Sequence, residues 1–186
     1  MEGIVFYYIP KGEAPPFLSS KYPVVRDVSD LGIENMNVVI CDFFKGRYPG
    51  HTAAKVFRDS KDHNIIVVMR GKQLVGLVVF LIKDDCVEIS IVCALEKGLG
   101  AVLLNIIKEF AVTLPNKCVK LTSLNKKLDN YYIEQGFKKL RGAPLGELEW
   151  RPTTAGKRIF RTRKAIRKYR KTRRRSTALS VIIGRE

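Results

Sequence analysis

Apolar residues change their spacing several times along the chain, and each change predicts an element. Val87, Ile89 and Ile91 alternate with Glu88 and Ser90, the two-residue period of a half-buried strand. Leu103, Ile106, Ile107, Phe110, Ala111 and Leu114 then recur at helical spacing until Pro115, which stops the helix. Between the two runs, Lys97-Gly98-Leu99-Gly100-Ala101 opens the helix with two residues that lack a Cβ. The unpaired main-chain N–H groups of this first turn can come close to a ligand, and they favour phosphate.

Around this strand–turn–helix the same reading gives an order of elements. Ile4 to Ile9 predicts a first strand, followed by the turn-rich stretch Pro10 to Pro16. Between Ser19 and Pro49 no period dominates: Asp27-Val-Ser-Asp-Leu31 has the start of a helix, and Asn37 to Phe44 carries the β-branched and aromatic residues of a strand. His51 to Lys61 predicts a helix capped by Thr52, with Ala53, Val56 and Phe57 on one face. Asn64–Arg70 and Leu74–Ile82 flank Gly71-Lys72 as a hairpin, and the strand through Ile89 follows Lys83-Asp84-Asp85. After the central helix come a strand over Lys117–Ser123 and a short helix over Leu128–Gln135 ended by Gly136. Phe137–Leu140 and Glu147–Trp150 form a closing pair of strands. The order implies a mixed, largely antiparallel sheet flanked by helices.

The length of 186 residues and an apolar fraction of 46% suit one domain with an ordinary core, plus an appendage. Cys41, Cys86, Cys93 and Cys118 make no Cys-x-x-Cys pair and stand at no ligand spacing to His51 or His63, so buried free thiols in a reducing compartment are expected rather than zinc. The N-terminal apolar run has no basic region before it, and the run from Ile65 to Ile82 is broken by Arg70-Gly71-Lys72-Gln73. Both point to an intracellular protein without a transmembrane segment, in cytoplasm, nucleus or virion. Leu103 stands where a dinucleotide fingerprint needs its third glycine, and no Gly-Lys-Ser/Thr is present, so neither a Rossmann nor a P-loop site is implied.

Gly98-x-Gly100, Asn125 after the next strand, and Tyr132 seven residues on with Gly136-Phe137 together resemble the GCN5-related N-acetyltransferase family (GNAT). The resemblance covers about Asn64 to Leu140 and implies an α/β (α+β) acyl-CoA N-acyltransferase fold and acetyl-CoA as cofactor. The family usually carries Gln or Arg where this chain has Leu95, so main-chain groups of Lys97, Gly98, Leu99, Gly100 and Ala101 would hold the phosphates, with Lys97 adding charge. By the same resemblance, main-chain groups of Ile91, Val92 and Cys93 pair with the pantetheine arm, and Asn125 and Tyr132 complete the cofactor site. Tyr132 would protonate the departing thiolate, leaving Tyr131 as core filler. Glu88 is the candidate base, because it alternates to the face opposite Val87 and Ile89. The acceptor is an amine: a protein lysine, an N-terminus, a polyamine or a small amine.

Charge changes the picture at the C-terminus. Lys157, Arg158, Arg161, Arg163, Lys164, Arg167, Lys168, Arg170, Lys171, Arg173, Arg174 and Arg175 contribute twelve of the net +16 with no acid among them, leaving +4 for the rest. Such a run points to nucleic acid or another polyanionic partner. Two regions are therefore expected: an acetyltransferase-like domain over 1–151 and a basic extension over 152–186. The competing expectation is a non-enzymatic nucleic-acid-binding protein, viral or chromosomal, that keeps the fold.

Overall fold

In the computed structural model, residues 3–41, 50–84, 86–140, 142 and 146–152 are described. Residues 1–152 form a compact unit. The basic run and the expected strand's end at 42–44 lie outside the described residues.

Strand β1 (Ile4–Ile9) leads into a short helix α1 (Pro16–Lys21), which the turn-rich sequence had not shown. Pro16 at the first helical position is what starts it: its missing N–H is no loss there. The ambiguous 27–31 stretch is a 3-10 turn over Val28–Leu31, capped by the Asp27 carboxylate accepting from the Ser29 N–H at 2.8 Å. Two short strands, β2 (Val39–Cys41) and β3 (His51–Thr52), pair antiparallel before α2 (Ala53–Asp59). Thr52 caps α2 as expected, its hydroxyl accepting from the Lys55 N–H at 3.3 Å.

The hairpin forms from β4 (Asn64–Arg70) and β5 (Gln73–Lys83), turning at Gly71 with φ 56°. Next come β6 (Cys86–Ala94), α3 (Leu99–Ala111), β7 (Cys118–Thr122), α4 (Lys126–Glu134), β8 (Lys138–Lys139) and β9 (Glu147–Trp150). Helix α3 ends four residues before Pro115, and the chain keeps turning through Thr113 and Leu114 by i−3 bonds. Gly136 takes the left-handed cap with φ 90°.

Seven strands make the main sheet in the order β1-β4-β5-β6-β7-β9-β8. Among the named strands of the described residues β6–β7 is the one parallel pairing, so the sheet is mixed and largely antiparallel as expected. The closing strands do pair with each other, but β9 also inserts beside β7. One face carries α1 and α3, with Leu103, Leu104, Ile107 and Phe110 fully or almost fully buried; each such side chain contributes roughly 1.5–3 kcal/mol. The other face packs Val56 and Phe57 of α2 on Ile65, Val67, Leu77 and Val79.

The expectation of free thiols is corrected. Cys41 is bonded to Cys93 and Cys86 to Cys118, with Cα–Cα separations of 5.4 and 4.9 Å, within bridging range. Sequence spacing hides both pairs, because Cys86 and Cys118 become neighbours only through the β6–β7 register, and Cys41 meets Cys93 only when β2 packs on β6. The reducing setting that free thiols had implied loses its support.

Candidate functional site

The parallel ladder between β6 and β7 runs only from Cys86↔Cys118 to Ile89↔Leu121. Beyond Ile89, β6 continues to Ala94 while β7 ends at Thr122, so the two strands part. A bulge marks the parting: Val79 pairs with Ile91 and Phe80 with Ile89, which leaves Ser90 as the extra residue. Ile91, Val92 and Cys93 keep their pairing with β5 on one side. Among the described residues no strand pairs with them on the other, so alternate N–H and C=O groups face the gap.

Helix α3 begins where this open arm ends. Gly98 is its N-cap in the left-handed region, φ 88°, which a side chain would resist. The Leu99 N–H donates to the Glu96 carbonyl and that of Val102 to Gly98, leaving Gly100 and Ala101 without a main-chain acceptor among the described residues. Leu99 itself turns inward against Gly76 of β5, where a Cβ would come within 2.7 Å of its Cδ2. That glycine lets the helix start sit close to the sheet. Lys97 and Leu95 are exposed. Glu96, an acid in the turn, is ion-paired with Arg70 of β4. The sequence pattern missed this pair because Arg70 ends β4 and Glu96 stands in the turn after β6, and the pairing offsets the charge of Glu96.

Helix α4 supplies the phenols. The Asn125 side chain caps the helix by accepting from the Leu128 N–H at 3.0 Å, so its carbonyl is engaged and its amide NH2 is left to donate. Tyr132 is half-buried, edge-on to Phe137 and Tyr131 at 5.9 and 5.4 Å between ring centroids. Burial, and then the neighbouring Tyr131 phenol, push its pKa up to about 12, so it keeps its proton at neutral pH. Tyr131 is more than core filler: a Cβ on Gly100 would lie 3.2 Å from its hydroxyl oxygen, which places that phenol at the entrance of α3. Its pKa too is raised by burial.

Glu88 lies in the ladder half of β6, exposed, with its carboxylate 3.9 Å from Lys83. Its side chain does alternate away from Val87 and Ile89, which are buried on the α3 face. The Cys93 side chain turns to the opposite core and is bonded to Cys41, so only its main chain is available to the gap. All twelve cations of the basic run lie outside the described residues.

Two supporting groups, Lys108 and Asp129, escaped the sequence reading. Lys108 is buried, and its ammonium donates to the Gln135 carbonyl at 2.5 Å beneath the rings of Phe137 and Trp150, tying α3 to the end of α4. Burial pulls its pKa down to about 8, while the carbonyl and the ring faces oppose that by favouring the cation. Asp129 accepts from Lys139 at 2.5 Å and from the Ser123 hydroxyl, bonds that hold its carboxyl below the usual range and pin α4 to the end of β7. A lysine at a core-facing helix position was the one visible signal.

No family model matches the sequence, and no curated protein matches it. Solved structures similar to it include AtaTR bound with acetyl-CoA, at TM-score 0.47 and 16% identity over 66% of this chain and 88% of that one. A Bacillus subtilis acetyltransferase in complex with CoA has TM-score 0.41 and 16% identity, covering 53% and 83%. The anti-CRISPR protein AcrVA5 has TM-score 0.36 and 23% identity, covering 41% and 90%. Likenesses this distant assign no activity, which has to be argued from the residues of this chain.

Proposed function

We propose that the chain is a GNAT-type N-acetyltransferase that moves acetyl from acetyl-CoA to an amine. The observation that carries this reading is the open arm of β6 leading directly into the left-handed Gly98 start of α3. An extended amide-containing arm finds main-chain groups along Ile91–Cys93 with no strand partner on one side, and a diphosphate finds the Gly100 and Ala101 N–H groups, with the Tyr131 hydroxyl beside Gly100. Lys97 adds a positive charge at the turn, and Asn125 has an amide donor on the facing helix.

Acetyl-CoA supplies the activated thioester. Tyr132, protonated at neutral pH, donates its proton to the sulfur as the C–S bond breaks. Glu88 accepts the proton the amine loses on forming the C–N bond, through water, from the face opposite α3. The test is a thermal shift: millimolar acetyl-CoA raises the melting temperature, because it binds only the folded state, and Gly100→Glu loses that shift by placing a carboxylate where phosphate approaches. No shift with folded wild-type protein would sink the reading. A second reading, a fold kept for binding without transfer, is favoured by Leu95 in the turn, and a shift without any acceptor turnover would support it.

The basic run adds a nucleic-acid-binding function to either reading. Removal of residues 152–186 abolishes most DNA and RNA affinity, and in the full chain log affinity falls with log salt at a slope of about −5 if five or six cations contact phosphates. Unchanged affinity in the shortened chain would place the partner elsewhere.

A further inference from the structure

The turn into α3 is short of side-chain donors of its own. From Leu95 to Ala101 only Lys97 carries one, and it is exposed. A second donor reaches the turn from another element. The hydroxyl oxygen of Tyr131, on α4, lies 3.2 Å from the place a Cβ on Gly100 would take. It is the one atom among the described residues that such a Cβ would meet within 4 Å, apart from the backbone of its own helix and its chain neighbours.

This hydroxyl is free to serve a ligand. It has no hydrogen-bond partner among the described residues, and its oxygen is not sealed from solvent, so a bound molecule can reach it. Its ring is held in place, edge-on to Tyr132 at 5.4 Å between centroids and packed against the core beneath α3. Little side-chain freedom is left to lose on binding. Burial raises the pKa of the phenol, so at neutral pH it is a donor.

The helix separates the two phenols by direction. Asn125 and Tyr132, seven positions apart, differ by about 700°, within about 20° of two full turns, and share a face of α4. Tyr131 is turned about 100° from that face, toward the start of α3. The two hydroxyls therefore do not serve the same part of a ligand. Tyr131 faces the turn where the Gly100 and Ala101 N–H groups have no main-chain acceptor among the described residues.

Resting on the transfer reading above, we propose that Tyr131 is a further binding residue for acetyl-CoA, its hydroxyl donating to a diphosphate oxygen held at the Gly100 and Ala101 N–H groups. It supplies from α4 the side-chain donor that Leu95 leaves out of the turn. Gly100 then has a second task, because an alanine there would crowd the hydroxyl at 3.2 Å and push it aside.

Three ligands cut the cofactor at its phosphates: acetyl-CoA, acetyl-dephospho-CoA, which lacks only the 3′-phosphate, and S-acetylpantetheine, which has none. Each is titrated against the parent, Tyr131→Phe and Gly100→Ala by thermal shift and by displacement of labelled acetyl-CoA. Tyr131→Phe keeps the ring against Tyr132 and weakens acetyl-CoA and acetyl-dephospho-CoA alike by about 10-fold, the size of one hydrogen bond to a charged group. Binding of S-acetylpantetheine is unchanged. Gly100→Ala gives the same pattern by crowding the phenol, and adds little further loss to Tyr131→Phe. An equal loss for S-acetylpantetheine would put the hydroxyl on the arm, and a loss for acetyl-CoA alone would put it on the 3′-phosphate; either overturns the assignment. So does a folded Tyr131→Phe that binds acetyl-CoA as tightly as the parent, with the parent's own shift keeping the transfer reading intact. A parent protein that acetyl-CoA does not stabilise sinks the transfer reading and this role with it.

Discussion

The two halves of β6 are built from similar apolar residues and do opposite things. Cys86–Ile89 is closed: paired on both sides, almost wholly buried apart from Glu88, and bonded through Cys86 to Cys118. Ser90–Ala94 is open on the side away from β5, and its residues are half-buried or exposed except for Cys93. The difference comes from one inserted residue and one short neighbour. Ser90 bulges, β7 stops at Thr122, and backbone polar groups that a sheet would normally satisfy are left for something else. The closed end, paired on both sides and cross-linked, is the rigid support for the open one.

The largest expected effect is at Tyr132 of α4, the proton donor of the proposed transfer, whose ring lies edge-on to Phe137. Tyr132→Phe keeps the ring against Phe137 and removes only the donor, so acetyl transfer falls by about 10²- to 10⁴-fold with acetyl-CoA affinity nearly unchanged. Rates of the variant and parent are compared at saturating acceptor. Equal rates would show that the phenol's raised pKa serves packing alone.

A smaller effect separates the two cross-links. Replacing either cysteine pair by alanine lowers stability by about 2–4 kcal/mol in denaturant unfolding, since each closes a loop of several tens of residues. The function differs between them: the Cys41/Cys93 pair holds the open arm against β2, so its loss weakens acetyl-CoA binding, whereas loss of Cys86/Cys118 does not. Equal affinity in both variants would mean that the arm needs no brace.

The smallest effect concerns Lys108, behind the site. Its folded pKa of about 8 lies below the unfolded value, so between about pH 8 and pH 10 the unfolded chain holds more proton than the native one and stability rises with pH. The slope is at most about 1.4 kcal/mol per pH unit, less the opposition of the Gln135 carbonyl and the rings. Lys108→Met removes that slope, as urea titrations across this range would show. A slope identical in the two proteins would mean the ammonium is as well solvated by its carbonyl and rings as by water.

Legibility followed the range of the forces involved. The strand–turn–helix from Val87 to Ala111, the Gly71 hairpin, the Thr52 cap and the Gly136 stop are set by residues within one or two turns of each other, and each was visible as a period or a cap. Helix α1 was hidden because it depends on Pro16 and on docking Leu18, rather than on a repeating face. The site was half legible: Gly98, Gly100 and Tyr132 stood out, but the reach of Tyr131 to Gly100, the Arg70–Glu96 pair and both disulfides join residues from separate elements.

By itself, then, the sequence determined the order and type of most elements, the absence of a Cβ at the start of α3 and the concentration of charge after Lys157, because local sterics, periodicity and composition are properties of neighbouring residues. The tertiary structure alone decided where β6 parts from β7, which cysteines meet, and that the row from Ile9 to Ile91 lies in the core on the face opposite α3. Those depend on register between strands distant in the chain, where a shift of one residue turns every side chain to the other face.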